Sequence, residues 1–138
     1  MIDKFNKMLA GSEPMVLSLF RIVTGLLLFQ YGVAKILKFP VLPYFANIPP
    51  LITTAGALEL VGGALLILGL FTRPVAFILS GEMAFAYFMG HMFKTAPPVF
   101  IPLLNGGNAA ILFCFACLYL ACAGGGPFSL DVMMRKKG

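Results

Sequence analysis

The chain has 138 residues, of which 60% are hydrophobic and only 11% are charged. Soluble domains carry about 25% charged residues, and a water-soluble fold of this size cannot bury so much apolar surface. The net charge of +5 is not gathered into a basic patch with interleaved aromatic residues, which excludes a nucleic-acid-binding surface. The composition therefore predicts a protein that lies in the lipid bilayer.

Four windows of the sequence are long and apolar enough to cross a membrane as helices. A spanning helix needs about 20 mainly apolar residues, and its backbone groups must form hydrogen bonds within the segment. The windows cover residues 15–36, 51–71, 74–93 and 108–123. Only short tails and loops remain, so the whole chain is predicted to form one domain, an all-α integral membrane four-helix bundle.

The basic residues that flank the windows predict the orientation of the bundle. Six lie on the side of the two termini, namely Lys4, Lys7, Arg73, Arg135, Lys136 and Lys137, and three on the opposite side, namely Lys35, Lys38 and Lys94. Because lysine and arginine are enriched in cytoplasmic segments, both termini are predicted to be cytoplasmic.

The segments between the windows differ in character. The apolar spacing in residues 2–9 favours a short helix that lies in the membrane interface. Residues 38–50 and 94–107 are rich in proline and predict two irregular loops on the outer side, with aromatic residues such as Tyr44 at the headgroup level. Residues 69–74 leave room only for a tight turn, so the second and third helices are predicted to be antiparallel neighbours.

Two charged residues within the windows, Arg21 and Glu82, are predicted to form a buried ion pair. On a helical projection Arg21 shares one face with Gly25 and Gly32, and Glu82 also lies on a face of small residues, which indicates that both side chains point into the bundle. At 1.5 Å per residue they lie roughly 9 and 12 Å from the cytoplasmic boundary. A purely structural role of this pair is as open as a functional one.

A second set of polar residues predicts a small-molecule site in the outer half of the bundle. Glu59 lies near the middle of its window, where a carboxylate cannot reach a headgroup. Lys35 and His91 lie at the outer ends of two windows, and Asn105 and Asn108 flank a pair of glycines. The alternatives are that the lysine extends to the outer headgroups, that the histidine caps its helix, and that the asparagines only end a loop. No residue is assigned a catalytic role.

The cysteines of the last window have two possible roles, in packing or in redox chemistry. Cys114 and Cys117 have the C-x-x-C spacing, but a reactive dithiol needs a helix N-terminus and water to lower the thiol pKa. We therefore expect small apolar packing residues, with a redox dithiol as the alternative. No cluster of metal ligands is present in the sequence, and a single histidine cannot provide bis-histidine haem ligation.

The order of these residues resembles the DoxX family of small bacterial membrane proteins. The matching segments are Arg21 with Gly25 and Gly32-x-x-Lys35, then Glu59–Gly63, Gly69–Arg73, Glu82 with His91, Pro102–Gly107 and Gly126–Asp131. Two positions depart from the family pattern: Tyr31 stands where relatives often have histidine, and Asn108 where they often have glutamate. A mechanism that needs those two groups is therefore not implied here.

The resemblance implies a multi-pass protein of the bacterial cytoplasmic (inner) membrane. Some relatives look like membrane subunits of thiosulfate:quinone oxidoreductases, others are linked to quinones or oxidative stress, and a wider similarity reaches eukaryotic surfeit-locus cargo receptors, which are not enzymes. One hypothesis is therefore a redox-associated component that binds a quinone, or a small sulfur or aromatic compound, and works with a partner oxidoreductase subunit. The other is a noncatalytic helper that docks or stabilises another membrane protein.

Overall fold

The computed structural model describes residues 1–45 and 47–137 as helices, turns and loops, and it contains no strand in that part of the chain. The side chains of Tyr44 and Lys137, which the sequence assigns to the outer headgroup level and to the cytoplasmic flank, lie outside the described set. The predicted all-α fold is confirmed.

The helices follow the apolar windows of the sequence closely. In chain order they are α1 (Ile2–Gly11), α2 (Glu13–Gly32), α3 (Pro50–Leu68), α4 (Thr72–Tyr87), α5 (Pro102–Asn105), α6 (Asn108–Ala123) and α7 (Leu130–Lys137). A π-helical turn extends α2 over Val33–Leu37 and another extends α4 over Phe88–Met92. With these extensions, α2, α3 and α4 are long and apolar enough to cross a membrane, whereas α6 is apolar but has only 16 residues.

The bundle has two dissimilar ends. At the turn end, residues 69–71 join α3 to α4, and the tail from residue 124 onward lies beside that turn. At the loop end, residues 38–49 and 93–107 form the two long connections, which contain the short 3-10 turn Pro43–Phe45 and the single turn α5. The prolines of these loops prevent longer regular helices there.

Glycines bring α2 and α3 into close contact. A Cβ atom placed on Gly25 would lie 2.9 Å from the Gly63 carbonyl oxygen, and one on Gly63 would lie 2.7 Å from the Phe29 nitrogen. Gly32 lies directly against the Leu60 backbone. Because small residues allow transmembrane backbones to approach, these glycines fix the α2–α3 crossing.

The helices pack as two pairs, α2 with α3 and α4 with α6, around one apolar core. This core contains the fully buried side chains of Leu28, Leu66, Cys117 and Leu120, together with Leu79. In contrast, α1 has no buried residue and lies outside the bundle.

Candidate functional site

An ion pair between Lys35 and Glu59 lies inside the bundle. The Lys35 Nζ atom is 2.9 Å from both carboxylate oxygens of Glu59, and Glu59 is only 1% exposed. The lysine comes from the end of α2, and the glutamate is the tenth of the 19 residues of α3. The structure therefore brings together two of the residues that the sequence assigns to the outer site.

The π-helical turn and a glycine position the lysine. Lys35 lies in the turn Val33–Leu37, and its Cβ atom packs against Gly56, where an added Cβ would be only 2.7 Å away. Gly56 lies one turn before Glu59, so the lysine side chain extends along α3 to the carboxylate. The Lys35 ammonium also lies 5.8 Å from the Tyr31 ring centroid and 5.7 Å from that of Phe45, within cation–π range.

Glu82 lies beside this pair, within side-chain hydrogen-bond reach of the Glu59 carboxylate. The charges of Glu59 and Lys35 act on the Glu82 carboxyl group, which also interacts with Cys117 of α6. Both Glu82 oxygens are buried, and no N–H or hydroxyl group of the described residues donates a hydrogen bond to them. A buried carboxylate without a donor is costly, so Glu82 needs a proton, a ligand or both.

The predicted ion pair between Arg21 and Glu82 is wrong. Arg21 is 1% exposed, and its guanidinium donates to backbone carbonyl groups at the turn end. These acceptors are Leu66 O at 2.8 Å, Phe128 O at 2.9 Å, Ile67 O at 3.5 Å and Gly125 O. Because the last carbonyl groups of a helix lack intrahelical donors, the end of α3 offers Arg21 acceptors without any carboxylate.

The tail that contacts Arg21 is also fixed by Ser18 and Asp131. The Ser18 hydroxyl accepts from the Phe128 N–H at 3.1 Å, and the Asp131 carboxylate accepts from the N–H groups of Phe71 at 2.7 Å and Thr72 at 2.9 Å. Burial alone would raise the pKa of Asp131, but these N–H groups, the Thr72 hydroxyl and nearby Arg135 outweigh it and lower the pKa. Asp131 therefore caps α4 from the tail as an ionised carboxylate.

The remaining residues of the predicted outer site lie in a separate network at the loop end. His91 Nδ1 lies 3.1 Å from the Asn105 carbonyl oxygen, and the Asn105 amide donates to Val99 O at 2.8 Å and to the Tyr87 hydroxyl at 3.3 Å. These bonds hold the second long loop against α4. Asn108 is exposed at the start of α6, so the structure does not bring it to Lys35 and Glu59.

In the described part of the chain, neither a disulfide nor a metal-binding cluster adds to this site. Cys117 is fully buried in the core, and the Cys114 carbonyl accepts a hydrogen bond from Ser80 at 2.8 Å. Both thiols are free. Among the described residues, no group of three or more His, Cys, Asp or Glu side chains is arranged to hold a metal ion.

Comparisons with known proteins agree with this arrangement. The profile of the DoxX family matches residues 16–92, more than half of the chain. The chain belongs to the DoxX family. It is similar to a protein of Haemophilus influenzae named only "Uncharacterized protein", with 42% identity over 128 residues that cover 91% of this chain and 95% of that relative. No solved structure matches the chain significantly.

The region that matches the DoxX profile contains the buried charged residues of the bundle. It includes α2, α3 and α4 and therefore Arg21, Lys35, Glu59 and Glu82, whereas α6 and the tail follow it. Sequence reasoning missed the place of Glu82 beside Glu59. The signal was the tight turn: Glu59 lies ten residues before Gly69 and Glu82 ten residues after Thr72, which places them at similar heights in an antiparallel pair.

Proposed function

We propose that this DoxX protein binds a small molecule from the membrane at Glu82, beside the Lys35–Glu59 ion pair, as the membrane component of a quinone-linked oxidoreductase. The observation that carries the proposal is the pair of buried Glu82 oxygens, to which no N–H or hydroxyl group of the described residues donates. Buried polar groups in proteins are nearly always hydrogen-bonded, so an exception indicates a missing partner.

The chemistry of the cluster suits a neutral ligand with a carbonyl or hydroxyl group. Lys35 and Glu59 neutralise each other through two direct bonds, so they leave little net charge for an ionic ligand. A protonated Glu82 offers one O–H donor and one carbonyl acceptor. A quinone carbonyl can accept from this donor, and a quinol hydroxyl can donate to this acceptor.

An apolar groove between α3 and α4 supports entry from the lipid. The groove has a volume of about 390 Å³ and is lined on α3 by residues such as Val61 and Gly62 and on α4 by Ile78 and Leu79. Ile78 and Leu79 lie one turn before Glu82 on the same side of α4. A groove of this composition fits the isoprenoid tail of a quinone whose headgroup lies near Glu82.

The redox partner in this proposal is another subunit. Reduction of a quinone to a quinol takes up two electrons and two protons. In this proposal Glu82 donates one proton, water supplies the second and reprotonates Glu82, and the partner subunit supplies both electrons. The site is proposed to lie in the bacterial cytoplasmic membrane with the turn end facing the cytoplasm, because the basic flanking residues are concentrated at that end.

Quinone binding by variants of Glu82 tests the proposal. The purified protein in lipid nanodiscs is titrated with a short-chain ubiquinone analogue, and the wild type is compared with Glu82→Leu and with Glu13→Leu, an exposed glutamate at the start of α2. We expect Glu82→Leu to weaken binding at least about tenfold, since a hydrogen bond to a buried group is lost, and Glu13→Leu to leave binding unchanged.

A saturable wild-type affinity that is the same in both variants would contradict the proposed site. The absence of quinone binding by the wild type would favour the noncatalytic helper. One observation already favours that second function: His91 and Asn105 serve to hold a loop, so they are not free to contact a ligand. The noncatalytic function would be supported if another membrane protein co-purified in a fixed ratio and if changes at the loop end abolished that association.

A further inference from the structure

A polar pocket opens at the turn end of the bundle, away from the candidate quinone site. It has a volume of about 470 Å³ and lies between the start of α4, residues 123–126 and the start of α7. Its lining includes Thr72, Arg73, Asp131 and Arg135. The function proposed above uses none of these residues.

Two arginine side chains make the pocket basic. The guanidinium of Arg73 lies against Gly124, where an added Cβ would be 3.3 Å from its Nε atom, so the glycine leaves room for the charged group. Arg135 lies close enough to Asp131 to help keep it ionised. Within the described part of the chain, neither guanidinium donates a direct hydrogen bond to a protein acceptor, so both retain donors for an anion.

A buried hydroxyl group adds a further donor to the pocket. Thr72 is 1% exposed, and its hydroxyl lies close enough to the Asp131 carboxylate to help keep it ionised, without a well-formed hydrogen bond to any described residue. The neighbouring carboxylate of Asp131 already accepts two backbone N–H groups. The pocket therefore combines two cations, one engaged carboxylate and one buried hydroxyl beside that carboxylate.

We propose that this pocket binds a phosphate group, supplied either by an anionic lipid headgroup or by a soluble phosphate. Guanidinium groups bind phosphate through paired N–H donors, and a threonine hydroxyl donates a further bond. The pocket lies at the start of α4, a helix that is long and apolar enough to cross a membrane, and the exposed Phe71 ring forms part of its rim. This is the level at which lipid phosphates are found.

Lipid titration followed by native mass spectrometry tests the pocket. The delipidated protein is titrated with phosphatidylglycerol, with neutral phosphatidylcholine and with inorganic phosphate. The double variant Arg73→Gln with Arg135→Gln is compared with Lys4→Gln with Lys7→Gln, which removes the same charge from α1 at the same end. We expect the arginine variant to bind phosphatidylglycerol about tenfold more weakly or worse, and the lysine variant to change less than about threefold.

A third variant distinguishes binding in a specific pocket from general attraction to surface charge. Thr72→Val keeps the shape of the side chain and removes the hydroxyl, so we expect phosphatidylglycerol binding to fall by about threefold or more while the protein remains folded at the temperature of the titration. Competition by inorganic phosphate at equal concentration would identify the soluble anion as the occupant of the same site. Equal losses in the arginine and lysine variants, or wild-type binding by both Thr72→Val and the arginine variant, would overturn the proposal.

Discussion

Glu59 and Glu82 show how differently the same residue type can behave within one bundle. The carboxylate of Glu59 has its counter-ion at 2.9 Å, whereas the buried oxygens of Glu82 receive no hydrogen bond from a donor group of the described residues. Removal of one partner of a buried pair leaves an uncompensated charge, but removal of a buried carboxyl group that no donor stabilises relieves a desolvation cost. The two glutamates should therefore differ in their contributions to stability.

Leucine substitutions measure that difference. We expect Glu59→Leu to lower the free energy of unfolding by about 3 kcal/mol, because Lys35 loses its counter-ion in a largely buried position. Glu82→Leu should leave the stability unchanged or raise it. Reversible unfolding in mixed detergent micelles gives both values, and a large loss for Glu82→Leu would show that Glu82 has a structural partner in the folded protein.

The ionised Asp131 of the tail should make the stability of the protein depend on pH. Its pKa is lowered in the folded protein, so its contribution to stability is present above the ordinary aspartate value of about 3.9 and is lost as the pH falls through that value and below. We expect thermal unfolding of the wild type to shift to lower temperature below about pH 4. Asp131→Asn should be less stable at neutral pH and should show a smaller acid shift.

At the scale of the elements, close backbone contact defines the α2–α3 pair. Glycine is required where these helices cross, because a methyl group on Gly63 would meet the Phe29 nitrogen at 2.7 Å. A glycine without close neighbours, by contrast, only weakens its helix. Gly81 of α4 and Gly90 of the π-helical turn have nothing within 4 Å of an added Cβ, and both are exposed.

Alanine scanning of these glycines tests the crossing. We expect Gly63→Ala to destabilise the bundle by about 1–3 kcal/mol through overpacking. The matched change Gly81→Ala should be neutral or stabilise by up to about 1 kcal/mol, since alanine favours a helix. Unfolding in mixed micelles distinguishes the two, and equal stability of both variants would show that α2 and α3 do not meet at Gly63.

The contacts of the tail were the part of the structure that the sequence predicted least well. Helical projections show correctly that Arg21 and Glu82 point inward, but a projection does not reveal which neighbour each face meets. Charge complementarity then favoured a carboxylate partner for Arg21, whereas the structure supplies carbonyl groups from the end of α3 and from Gly125 and Phe128. Every residue has a backbone carbonyl group, so the pattern of side chains does not reveal which carbonyl groups Arg21 contacts.

For the whole molecule, the apolar windows were sufficient to predict the fold because length and hydropathy decide which segments become helices in lipid. The loop end was predictable only in outline. The prolines predict irregular loops, but the bonds from Asn105 to Val99 and Tyr87 depend on how the loop folds back on α4. Lys35 and Glu59 were correctly assigned to one site, because both lie on inward faces and the lysine side chain extends from the loop end toward the middle of α3.

The orientation of the molecule is predicted from charge alone. Both termini and the turn end should face the cytoplasm, because six of the nine flanking basic residues lie at that end. Single cysteines at position 2 and in the loop 41–43, introduced after the natural cysteines are replaced by alanine, should react with a membrane-impermeant thiol reagent from opposite sides of oriented vesicles. Labelling of both from one side would contradict this topology.

The most direct test of the account is whether the Glu82 carboxyl group itself contacts the ligand. Infrared difference spectroscopy of the protein in nanodiscs, recorded with and without a short-chain ubiquinone analogue, reports the C=O stretch of protonated carboxyl groups. We predict a band that shifts when the quinone binds, that is absent from Glu82→Gln and that is retained in Glu13→Gln. A quinone-induced carboxyl shift that persists unchanged in Glu82→Gln, or quinone binding with no carboxyl shift in the wild type, would contradict it.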